Sequence, residues 1–104
     1  MTNVAFTKEW RDGVLCFVFK GASKALVSEA FDNLKGMCRC KISTEMAGRT
    51  RNGHCIWNVI ARTTASSDSL SAGEDELTTL VVHFLRKKGC EVVYFDDLQK
   101  LVNS

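Results

Sequence analysis

The sequence predicts an α+β fold. It reads as a two-layer sandwich in the order ββαββαβ(α), an antiparallel sheet with two helices on one face. Three observations carry this. Residues 3–36 and 38–89 share one layout of strand, tight turn, strand and helix. Apolar residues recur at every second position in the strand segments and at every third or fourth in the helical ones. The pairs Asp12-Gly13 and Asn52-Gly53 fall between strands, where two-residue hairpin turns need them. At 104 residues the chain is expected to form one domain, residues 1–104.

The first hairpin runs from Val4 to Phe19. With Asp12-Gly13 as its turn, Trp10 faces Leu15, Lys8 faces Phe17 and Phe6 faces Phe19. One face then collects Val4, Phe6, Trp10, Leu15, Phe17 and Phe19, and this aromatic face is expected to be the buried one. Ser23 is placed to cap a helix running to about Lys35, with Gly36 as its left-handed stop. Leu26, Val27, Ala30, Phe31 and Leu34 form the stripe that packs on the aromatic face.

The second hairpin spans Cys38 to Arg62. Cys38, Cys40, Ile42, Thr44 and Met46 point one way, joined by Cys55, Trp57, Val59 and Ala61. Arg39, Lys41, Ser43 and Glu45 point the other way, joined by His54, Ile56, Asn58, Ile60 and Arg62. The turn lies within residues 48–53, as a four-residue loop Arg49–Asn52 or an Asn52-Gly53 turn. The four-residue loop sets Arg39 directly opposite Arg62. Residues 63–71 read as a Ser/Thr-rich loop.

Ser71-x-x-Glu74 is a capping box for the second helix. Glu74, Asp75 and Glu76 open that helix, and Arg86, Lys87 and Lys88 close it, both sets complementing the helix dipole. Leu77, Leu80, Val81, Phe84 and Leu85 form its core stripe, and Gly89 ends it. Glu91–Phe95 reads as a buried strand. Asp96 or Asp97 caps a terminal helix carrying Leu98, Leu101 and Val102 inward. If the first strand is only an extension, the remaining β-α-β-β-α-β order permits a ferredoxin-like split βαβ arrangement.

Composition bounds the function. A hydrophobic fraction of 45% and a charged fraction of 25% are those of an ordinary globular chain. No apolar run approaches the roughly 20 residues of a spanning helix, so no membrane is expected. No signal peptide is visible, and the five cysteines read as reduced thiols of a cytoplasmic protein. The net charge of +2 does not by itself imply nucleic acid. It is unevenly spread: residues 1–63 hold ten Lys/Arg against five Asp/Glu, and residues 64–104 hold four against seven.

No catalytic residue, metal site or cofactor is expected. His54 and Cys55 are strand neighbours that point to opposite faces and cannot form a nucleophile pair there. Cys38 and Cys40 share a face, but Cys-x-Cys on a strand is not zinc-ligand spacing. Gly-rich phosphate loops, His-Glu-x-x-His and nucleophile elbows do not occur.

What remains is binding. The outward face carries Val14, Cys16, Val18, Ile56 and Ile60 rimmed by polar residues: either an interface, or a face over which the terminal helix with Leu98, Leu101 and Val102 folds. The chain is therefore expected to be a small non-enzymatic regulator or inhibitor, of the type mobile elements or phages encode. It would occupy the surface of a protein partner or pair with itself as a homodimer. The expected partner-binding residues are Arg39, Lys41, Arg49, Arg51, Ile56, Asn58, Ile60 and Arg62. The alternative is a nucleic-acid-binding module using the basic 39–62 hairpin. Against it stands the expectation that Trp10 and Trp57 lie under the helices, leaving no aromatic platform for bases.

Overall fold

The computed structural model describes residues 2–34, 40–63 and 74–103. These form five strands and three helices: β1 (Thr2–Arg11), β2 (Val14–Lys20), α1 (Lys24–Asp32), β3 (Cys40–Arg49), β4 (Cys55–Thr63), α2 (Glu74–Lys87), β5 (Cys90–Tyr94) and α3 (Leu98–Val102). The strands make one sheet in the order β3-β4-β2-β1-β5. The β3–β4, β4–β2 and β2–β1 pairs are antiparallel, whereas β5 joins β1 in parallel, so the sheet is mixed. The architecture is an α+β two-layer sandwich, with α3 added on the second face.

β1 is a full ten-residue strand and no mere extension. It lies between β2 and β5. The two strands of each β-α-β unit do not touch: β4 separates β2 from β3, while β2 and β1 together separate β4 from β5.

The first hairpin has the register its turn dictates: Trp10↔Leu15, Lys8↔Phe17 and Phe6↔Phe19. Asp12 and Gly13 both have positive φ, 52° and 76°, as a type I′ turn requires. Phe6, Phe17 and Phe19 stack on the helix side of the sheet, and Phe31 of α1 meets Phe17 edge-on at 5.3 Å. Leu77, Val81 and Leu85 of α2 complete this core.

Ser23 caps α1, its Oγ accepting a hydrogen bond from the Leu26 amide at 3.1 Å. The helix ends at Asp32 with Asn33 as a right-handed cap, short of the expected stop. Lys35, Gly36, Cys38 and Arg39 lie outside the described residues, as do residues 64–71 and the Ser71 half of the expected capping box. Glu74 bonds Lys8 of β1 at 3.2 Å, tying the start of α2 to the sheet. Gly89 ends the segment with φ +86°.

The second sheet face is covered by the terminal helix, the alternative to an open interface patch. α3 lays Leu101 and Leu98 over Cys16, Val18 and Ile60, with Ala5 and Phe95 at the margin. Asp97 caps this helix by accepting from the Lys100 amide at 2.8 Å. β2 is consequently buried on both faces, which explains why Val14–Lys20 is apolar at nearly every position.

Candidate interaction surface

β4 has nine residues, but β2 pairs with it only from Cys16↔Arg62 to Phe19↔Val59. At Lys20 the chain leaves the sheet through Gly21, whose φ is +88°. Among the described residues, 55–58 of β4 therefore have β3 as their one strand neighbour, and the β3–β4 hairpin projects as a two-stranded ribbon. Its tip is the five-residue segment 50–54. The Thr50 amide donates to the His54 carbonyl at 2.8 Å, and the Thr50 Oγ1 accepts from the His54 amide at 3.2 Å. The pairing slips by one residue between Met46 and Gly48. Such a bulge twists the ribbon away from the plane of the sheet.

The ribbon carries apolar side chains into solvent. Met46 and Trp57 are a cross-strand pair, 50% and 55% exposed. Arg49 pairs with exposed Cys55 two residues further along the same face. Ile56, on the opposite face, is 36% exposed. An isolated two-stranded hairpin is marginal in water. A ribbon that spends two large apolar side chains on solvent gains nothing for its own fold by doing so.

The structure sorts the residues expected to bind a partner. Arg49 and Arg51 are exposed at the ribbon end, and Ile56 is partly exposed beside them. Lys41 and Arg62 are exposed and directly opposite each other. This differs by two residues from the expected facing of Arg39 and Arg62, because the loop is longer than four residues and a bulge follows it. The like-charge juxtaposition persists in the new register. Asn58 and Ile60 are each 5% exposed, Ile60 beneath α3, so neither offers a surface to a partner. Of the apolar face read from the sequence, Cys16, Val18 and Ile60 form a second small core with Leu101.

Trp10 and Trp57, expected under the helices, are instead about half exposed. Both lie on the helix side of the sheet, but Trp10 sits beside the first turn and is 43% exposed. Strand length held the missing signal. For Trp57, a seven-residue β2 does not reach the far end of nine-residue β4.

Between α3 and the ribbon lies a cavity of about 180 Å³, lined by Arg11, Val18, Glu45, Asn58, Leu98 and Val102 among others. The Arg11 guanidinium donates to Glu45 at 2.9 Å and also to Glu9. The bond to Glu45, helped by Glu9 and opposed by partial burial, holds Arg11 above its already high ordinary pKa. Burial pushes the neighbouring Cys16 thiol up, against the pull of Arg11 and Arg62. Asn58 Oδ1 has no hydrogen-bond partner among the described residues.

His54 lies in the ribbon turn, and His83 lines an open groove on α2 with Thr78, Thr79, Val82 and Arg86. Among the described residues no three of His, Cys, Asp and Glu converge to hold a metal. No helix among them is long and apolar enough to cross a membrane. A scan against protein-family models, a search of the curated proteins and a search of the solved structures each returned no match.

Proposed function

We propose that this is a small non-enzymatic binding protein, a regulator or inhibitor that acts by laying its β3–β4 ribbon on the surface of a partner protein. The observation carrying this reading is the Met46–Trp57 pair, half in solvent on a ribbon the rest of the sheet does not support. Tryptophan at the centre of an exposed apolar patch is the residue type that dominates interface energetics. Arg49, Arg51 and Ile56 extend the contact around the tip, the arginines through charge-assisted hydrogen bonds. Cys16, Cys55 and Cys90 are free thiols, which supports action in a reducing compartment such as the cytoplasm.

The test is site-specific photocrosslinking in the expressing cell. A photoreactive amino acid replaces Trp57, and in a control chain replaces Leu80 on α2. A discrete protein adduct at position 57 that is missing at position 80 is expected. Equal adducts at both positions, or none at 57, would sink the reading.

A second reading rests on the same exposure. Trp57 and Arg49 on one ribbon face, with Arg51 at the tip, combine a ring for base stacking with cations for phosphate. Binding of a single-stranded oligonucleotide would then weaken steeply with salt, and replacing Arg49 and Arg51 together by alanine would flatten that dependence.

A further inference from the structure

β3 is an outer strand of the sheet, ten residues long, with β4 on one side and no strand on the other among the described residues. Its side chains from Lys41 to Met46 are exposed, apart from half-buried Ile42. Long unpaired edges invite further strands, and proteins usually blunt them with Pro or with charges that repel a second copy. This strand contains no Pro. Its two charges before the bulge, Lys41 and Glu45, are of opposite sign and lie four residues apart on one face.

That spacing decides what the edge accepts. Two copies of an antiparallel edge meet about a two-fold axis perpendicular to the sheet, so a residue at the axis faces itself and its neighbours pair symmetrically. Five registers centre on residues 41 to 45. Centring on Lys41 sets lysine against lysine, and centring on Glu45 sets glutamate against glutamate. Centring on Ile42 sets Lys41 against Ser43, and centring on Thr44 sets Glu45 against Ser43. Only the register centred on Ser43 sets Lys41 of each copy against Glu45 of the other, twice. On the helix side the same register sets Cys40 against Met46 and Ile42 against Thr44.

The monomer supplies a reason for this pairing. Lys41 faces Arg62 across β3–β4, and no carboxylate among the described residues lies within ion-pair distance of Lys41. Glu45 uses Oε2 for Arg11, leaving Oε1 for a second cation. A carboxylate from a second copy would offset the Lys41–Arg62 repulsion. The opposite sheet edge has no such complementarity: in β5, Glu91 self-pairs or meets Val93.

We infer that the β3 edge pairs antiparallel with the β3 edge of a second copy about Ser43, giving a symmetric dimer with one continuous ten-stranded sheet. The proposal goes beyond the ribbon reading. It uses the outer edge of β3, overlaps the ribbon face only at Met46, and leaves Trp57 of both copies exposed.

Sedimentation of the full chain from micromolar to millimolar concentration tests it, with thermal melts confirming that each variant is folded. A monomer–dimer equilibrium is expected. Lys41→Glu and Glu45→Lys each turn two attractive cross-strand pairs into repulsive ones and should weaken association on the order of tenfold. The double charge swap, Lys41→Glu with Glu45→Lys, should restore it. Trp57→Ala should leave it unchanged. A monomer at every concentration, single variants without effect, a double variant no better than the singles, or a dimer lost with Trp57→Ala would each overturn the inference. Because the ribbon test uses position 57 and this one uses positions 41 and 45, either can fail alone.

Discussion

Arg11 at the end of β1 and Glu45 on β3 join across the sheet, the guanidinium Nη1 donating to Oε2 at 2.9 Å between residues 34 apart in the chain. Two strands, β2 and β4, lie between them. Sheet twist brings these corners together on the face beside α3. Glu45 is half exposed, so the pair is a surface ion pair and should contribute no more than about 1 kcal/mol. A double-mutant cycle with Arg11→Ala and Glu45→Ala, repeated at high salt, measures it. A coupling well above that value, or one insensitive to salt, would show that the pair is shielded in solution.

Thr7 is fully buried, and its hydroxyl has no hydrogen-bond partner among the described residues. Valine has nearly the same shape without the hydroxyl. Thr7→Val should therefore stabilise the fold by about 1 kcal/mol, a rise in melting temperature of roughly 4–8 °C for a domain of this size. A fall in melting temperature would mean that the hydroxyl is bonded, through a water or a backbone carbonyl.

Leu101 is the fully buried anchor of α3. Leu101→Ala should cost about 2–3 kcal/mol, and the loss should be local, confined to the small core over Cys16. Alkylation of free thiols followed by mass spectrometry reads this directly. Cys16 should become much more reactive in the variant, while Cys90, buried in the main core, should not. Equal acceleration at both positions would show that α3 and the main core unfold as one unit.

The same thiol sets a pH dependence. Burial raises the Cys16 pKa, so the folded state favours the neutral thiol. Below the ordinary cysteine pKa, about 8.5, the contribution is fully present; as pH rises from there through the folded-state value it is lost. Denaturant midpoints should fall above about pH 8.5 in the parent chain. They should fall less steeply in Cys16→Ala.

Gly21 turns the chain out of β2 with φ +88°, and a Cβ there would lie 2.3 Å from the Asn3 carbonyl oxygen. Gly21→Ala combines a left-handed backbone with a clash against backbone atoms and should cost more than about 3 kcal/mol. Gly13→Ala, at φ +76° with open space around it, should cost only about 1 kcal/mol. Equal costs at the two positions would mean that β1 shifts to admit the methyl group.

Legibility from sequence followed the range of the interaction. The Asp12-Gly13 turn fixed seven cross-strand pairs of β1 and β2, because one turn type admits one register. Ser23, Asp97 and Gly89 were legible as helix punctuation for the same local reason. The second hairpin gave the right faces but a register two residues off, since nothing local announces a five-residue loop at 50–54 or the bulge between Met46 and Gly48 that keeps the faces in step. Strand order was not legible: no local signal says that β5 docks beside β1. The candidate site suffered most. Ile60 alternates as an outward residue should, but only the tertiary packing of α3 shows that outward is still inside. Trp57 read as core because its face is the core face, and only the shorter length of β2 leaves it in water.

The parallel pairing of β5 with β1, from Thr2↔Cys90 to Phe6↔Tyr94, has a consequence for biosynthesis. β1 leaves the ribosome before the other strands of this sheet, yet one of its edges stays open until residues 90–94 have been made. α3, which seals the other face, follows still later. A nascent chain can close its first hairpin early but must carry an unfinished sheet until nearly all of these residues have emerged. Ribosomes stalled before residues 90–94 have cleared the exit tunnel should accordingly hold chains that are protease-sensitive and prone to associate, and a linker long enough to bring β5 and α3 out of the tunnel should switch them to a resistant state.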